Sequence, residues 1–141
     1  MIPLRVSFMN ALSGSKIFAA VLLVSVMAAP QAKSEGAALS GSWSGGGIVV
    51  YSSGERERAR CRARYSAQSA SRVSVNATCA TPSGSVTQSA SLRRTGANSY
   101  SGTFFSSQYN VSGSIHVVVH GSSQSVTLRS GSGSASLTLR H

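Results

Sequence analysis

The run Arg56-Glu57-Arg58-Ala59-Arg60-Cys61-Arg62-Ala63-Arg64 holds the residues whose type and spacing point most directly to a chemistry. Arginine offers a planar, permanently charged fork that matches phosphate, sulfate or carboxylate oxygens. On an extended strand, alternate side chains leave one face about 6.6 Å apart. Arg58, Arg60, Arg62 and Arg64 therefore form a ridge, with Arg72 from the following segment beside it. Like charges this close repel unless an anion bridges them. The ridge is expected to engage an anionic partner such as a polyanion, the phosphates of lipopolysaccharide or an acidic protein. A solvated face that keeps the protein soluble and discourages sheet-to-sheet association is the other reading of the same pattern. No aromatic residue is interleaved with the outward arginines, since Tyr65 falls among the alanines. Without a base-stacking platform, specific nucleic-acid recognition is not expected.

Other reactive groups are sparse. The 141 residues carry a net charge of +10, contain no Asp, and place their three carboxylates at Glu35, Glu55 and Glu57. A calcium cage, an aspartic dyad and a Ser-His-Asp triad are thereby excluded. Glu55 and Glu57 flank a predicted turn and are expected to offset Arg56 and Arg58 locally. His116 and His120 share a strand face about 13 Å apart, too far to ligate one metal ion. His141 is terminal, and no strand-turn-helix elbow surrounds any serine. No catalytic residue, metal site or cofactor is expected, because no acid, base and nucleophile converge.

Arg5 and Lys16 precede the apolar run Ile17 to Ala29, which is followed by Pro30-Gln31-Ala32. This pattern predicts a secretory signal over residues 1–32, with Met9 as an alternative start. The run falls short of the roughly 20 residues a membrane-spanning helix needs, so no transmembrane span is expected after signal removal. The mature protein is expected in the periplasm or outside the cell. Residues 33–41 read as a flexible segment and 42–141 as one domain. An exported chain with two cysteines, Cys61 and Cys79, reads as disulfide-bonded. Closing that loop contributes on the order of 3 kcal/mol.

Beyond the signal, apolar and small polar residues alternate at period two, interrupted by Gly, Ser, Asn and Pro clusters. Eight strands are predicted: Ser42–Tyr51, Arg56–Ser66, Ser71–Ala80, Ser85–Arg93, Ser99–Phe105, Tyr109–His120, Ser125–Ser130 and Ser134–Arg140. Hairpin-sized separators make consecutive strands antiparallel neighbours. A hairpin centred near residue 70 sets Cys61 directly opposite Cys79, and puts Ala59, Ala63 and Tyr65 inward with Val73, Val75 and Ala77. An eight-stranded meander with one apolar face removes its exposed edges by closing, so an antiparallel up-and-down barrel is expected, with a two-sheet sandwich as the alternative. Gly45 to Gly47, Gly102 and Gly113 lie within strands and mark bends or bulges. The inward residues either leave room for one small apolar ligand or let the barrel pack solid.

Gly41-Ser42-Trp43 at the head of the first strand and Arg140 on the last resemble the calycin group. That group includes the lipocalins and small bacterial lipocalin-like inhibitors of secreted proteases. The resemblance implies a barrel in which Arg140 caps Trp43 where the sheet closes. It also implies an inhibitor that inserts the segment Lys33–Ser40 into a protease cleft. By its residue type alone, Trp43 equally reads as the large core anchor of a small domain. A structural envelope protein without a ligand is the remaining reading.

Overall fold

In a computed structural model of the chain, which describes residues 39–141, period-two alternation builds eight antiparallel strands. They are β1 (Gly41–Tyr51), β2 (Arg56–Ala67), β3 (Arg72–Thr81), β4 (Gly84–Arg94), β5 (Ser99–Ser106), β6 (Val111–His120), β7 (Ser123–Ser130) and β8 (Gly133–Arg140). The export signal expected over 1–32 and most of the segment after it lie outside the described residues. Each strand pairs with the next, and β8 returns to β1, so the sheet closes into a barrel rather than a sandwich. Closure gives every strand a partner on each side.

The hairpin joining β2 to β3 has the predicted register, with Cys61 opposite Cys79 and a disulfide between them across a Cα separation of 4.0 Å. Strand ends differ from the predicted ones by only one or two residues. β7 starts at Ser123 because Gly121, at φ 63°, makes a tighter turn than the sequence implied. β6 starts at Val111 because Asn110 adopts a left-handed φ of 50°, a conformation Asn tolerates better than most residues.

Every ladder keeps one register from end to end, so the barrel turns its corners without a bulge. Glycine does this work through close approach. A Cβ on Gly47 would lie 1.8 Å from the Ser136 carbonyl oxygen, and one on Gly102 would lie 1.8 Å from that of Ser91. The neighbouring strand occupies the space a side chain would need, which is how a sheet coils sharply at constant pairing.

The large side chains gather at one end. Trp43, Leu92, Tyr100 and Val117 are buried there, and Leu39 is inserted beneath them with its carbonyl accepting a 2.8 Å hydrogen bond from the Trp43 indole N–H. The barrel domain thus takes in Leu39, inside the stretch expected to be flexible.

Gly47→Ala is expected to destabilise the barrel by about 2 kcal/mol or more, because the strand on the far side must move. Gly131→Ala, where a Cβ meets nothing within 4 Å, should leave stability unchanged. Urea denaturation of both variants makes the comparison.

Candidate functional site

Opposite the Trp43 end, the inward positions hold smaller residues: Val49 on β1, Ala59 on β2, Val111 on β6 and Ala135 on β8. The walls therefore fail to meet. A cavity of about 480 Å³ opens at the end where the β1–β2, β3–β4, β5–β6 and β7–β8 turns gather. Its walls include Val49, Ala59, Val86, Phe104, Leu128 and Leu137, and Tyr51, Ser83, Ser106 and Ser130 provide hydroxyls. The Cys61–Cys79 bridge forms part of the wall. Deeper in, a void of about 30 Å³ reaches Tyr65. That is room for one water at most. Of the two interior arrangements open to the sequence, solid packing describes one half of the barrel and an open lumen the other.

The closed end is polar at its centre. Tyr65 donates its hydroxyl to the side-chain oxygen of Gln124, which is fully buried. The Gln124 side-chain nitrogen has no hydrogen-bond partner among the described residues. Desolvation pushes the Tyr65 phenol well above its ordinary pKa. The Trp43 indole meets Tyr65 edge-on at 6.2 Å and His141 edge-on at 4.7 Å.

The placement of Arg140 corrects the expectation drawn from the calycin resemblance. Arg140 is exposed and opposes Ser44, on the outer face of the sheet, while Trp43 points inward. Alternation decides this, since Leu139 takes the inward place at the end of β8. His141, one residue past the strand, is free of that alternation and supplies the ring that meets Trp43.

At the mouth, Glu57 occupies an inward-facing position of β2. Its carboxylate accepts hydrogen bonds from the Tyr51 hydroxyl at 2.8 Å and the Ser83 hydroxyl at 2.5 Å. It thus ties β1 and β2 to the β3–β4 turn, rather than neutralising Arg56 and Arg58 as expected. These hydroxyls, Ser83 first, hold the Glu57 pKa below its ordinary value, and the same contact raises that of Tyr51.

The wall has one seam near the mouth. The β4–β5 ladder stops at Ser89 opposite Phe105, although β4 runs on to Gly84. Gln108 bridges the gap like a stray peptide group, accepting from the Thr87 N–H at 3.3 Å and donating to the Ser85 carbonyl at 3.2 Å. Ser106 adds a bond to the Thr87 carbonyl at 2.9 Å. Tyr109, 56% exposed, and Phe105, 46% exposed, flank this seam.

On the outer wall, Arg56, Arg58, Arg60, Arg62 and Arg64 are all exposed and stand in one row along β2. Their neighbours across the ladders are small or uncharged: Ser42, Ser44 and Gly46 on β1, and Asn76, Thr78 and Ala80 on β3. The bare Gly46 leaves a shallow trough beside Arg58 and Arg60. Arg64 donates to the Ser42 hydroxyl at 3.0 Å. Arg72 is also exposed, but it lies directly opposite Arg93, a residue the sequence reading did not single out. The β3–β4 register was the signal that would have found it. His116, also outward, shares a 2.7 Å hydrogen bond with Ser101. Among the described residues, no group of three or more His, Cys or Glu side chains is placed to hold a metal ion.

This architecture is similar to that of designed barrels of known structure. A redesigned β-barrel, mFAP1, bound to DFHBI, superposes with a TM-score of 0.65 at 11% identity, covering 77% of this chain and 100% of that one. A de novo designed fluorescence-activating β-barrel gives 0.61 at 15% identity, covering 78% and 99%. The structure of EF1p2_mFAP2b bound to DFHBI gives 0.65 at 9% identity, also covering 78% and 99%. Identities this low establish a shared fold. No protein-family model matches the chain, and no curated protein sequence is significantly similar to it.

The Glu57 contacts generate a pH dependence with a definite sign. A carboxylate whose pKa is lower in the folded state stabilises that state above its unfolded pKa, and the benefit is lost as pH falls through the folded value. The mouth should therefore stay intact at neutral pH and loosen only in acid, below the ordinary glutamate value of 4.5. Carboxyl-detected NMR titration of Glu57 checks this, and Glu57→Gln should remove the acid transition at Tyr51 and Ser83.

Proposed function

We propose that the protein is an exported, non-enzymatic binding barrel whose lumen takes one small, mainly apolar molecule. The observation that carries this reading is the open cavity of about 480 Å³, walled by aliphatic and aromatic side chains and rimmed with hydroxyls. Its size and lining are those of small-molecule sites, which are concave, mostly apolar and fitted with a few polar groups. Two of the structures similar in fold are of proteins bound to the small molecule DFHBI. Export is supported by the sequence of residues 1–32, and the Cys61–Cys79 bridge suits an oxidising compartment.

A second reading has its own observation. The β2 arginine row is exposed along its whole length and bordered by uncharged residues, as expected of a surface that meets an anionic envelope or extracellular partner such as lipopolysaccharide. A lipocalin-like inhibitor acting through Lys33–Ser40 has less support, because Leu39, within that segment, is buried under Trp43.

The neutral dye N-phenyl-1-naphthylamine should bind with a Kd on the order of 1–100 µM and brighten on binding. Ala135→Trp, which fills the lumen from β8, should weaken binding about tenfold or more while the protein keeps its β-sheet circular dichroism. Equal dye binding by that variant would place the dye elsewhere. For the second reading, the wild-type protein should elute from immobilised heparin at a higher salt concentration than a variant with Arg58, Arg60, Arg62 and Arg64 replaced by Gln. Unchanged elution would reduce the row to a solvated face.

A further inference from the structure

We infer that the lumen selects uncharged ligands and rejects carboxylates, so that its occupant is a neutral, mostly apolar molecule of about 15–20 non-hydrogen atoms. This deepens the lumen reading above and rests on it.

The argument is one of charge placement. The protein is strongly basic, yet every arginine among the described residues is exposed. None lines the cavity, and no histidine does. The same alternation that puts Ala59 and Cys61 inside on β2 puts Arg58, Arg60 and Arg62 outside. An anion entering the lumen therefore finds no cation to answer it. Burying an unpaired carboxylate costs several kcal/mol, far more than a few hydroxyl contacts return.

The mouth adds repulsion to that cost. Glu55 is the one Asp, Glu, Lys, Arg or His among the cavity-lining residues. Glu57, already bonded to Tyr51 and Ser83, adds a second carboxylate to the same end of the barrel. A cationic ligand is favoured by Glu55 but must cross the positive field of the outer arginines. A neutral molecule faces neither penalty. Its polar atoms would meet hydroxyls instead. Ser106, almost fully buried, donates to the Thr87 carbonyl and keeps lone pairs for a second partner. Tyr51 and Ser130 stand around the same opening.

The test is displacement of N-phenyl-1-naphthylamine from the intact protein by a matched pair, decanol and decanoate, at neutral pH and moderate salt. Decanol should displace the dye at concentrations about tenfold or more below those of decanoate. Glu55→Gln, at an exposed position, should narrow that ratio by improving decanoate more than decanol. Equal displacement, or preference for decanoate, would overturn charge selection while leaving a ligand-binding lumen in place. Failure of the dye to bind, or of either compound to displace it, would overturn the lumen reading and this inference with it.

Discussion

The structure depends on the strict alternation of β2, held in register by its partners on both sides. Odd positions carry Ala59, Cys61, Ala63 and Tyr65 into the interior, while even positions carry guanidinium groups into solvent. A slip of one residue would bury the arginines and expose the thiols, at a cost no domain of this size could meet. The Cys61–Cys79 bridge fixes the register to β3, and the ladder to β1 continues it around the barrel. One constraint thus generates both the arginine-lined outer wall and the arginine-free inner one.

Closing the barrel sets the second requirement, which falls on residues without side chains. Eight strands carried round at constant pairing must coil sharply, and Gly45, Gly47, Gly102 and Gly113 let neighbouring carbonyls occupy the space that a Cβ would need. The core is then distributed unevenly along the axis. Trp43, Tyr65, Leu92 and Tyr100 fill one end with Leu39 as a stopper, and the residues left for the other end are too small to meet. The lumen follows from that gradient in side-chain size, not from the barrel fold itself.

Much of this was legible in the sequence because local rules govern it. Period-two alternation and hairpin-sized separators marked all eight strands, and the position of one turn set Cys61 against Cys79. What escaped depended on contacts between distant segments. Whether the interior is hollow turns on which large residues share a level of the barrel, and a list of inward positions does not contain that. The partners of Glu57 include Ser83, 26 residues away across the β3–β4 turn, so a local reading paired it with adjacent arginines instead. Gln108 sat in a separator with no signal of its stitching role. Arg140 matched the resemblance by type, yet alternation turned it outward and left the Trp43 contact to His141.

The central claim is that the inner face of one end of the barrel is an accessible, mainly apolar binding surface with no cationic side chain. Intermolecular NOEs between bound N-phenyl-1-naphthylamine and the assigned methyl groups test it most directly. The account predicts contacts to Val49, Ala59, Leu128 and Leu137, all inside the mouth. Contacts confined to the methyl groups of Ile48 and Val50, on the outer face of β1, would contradict it.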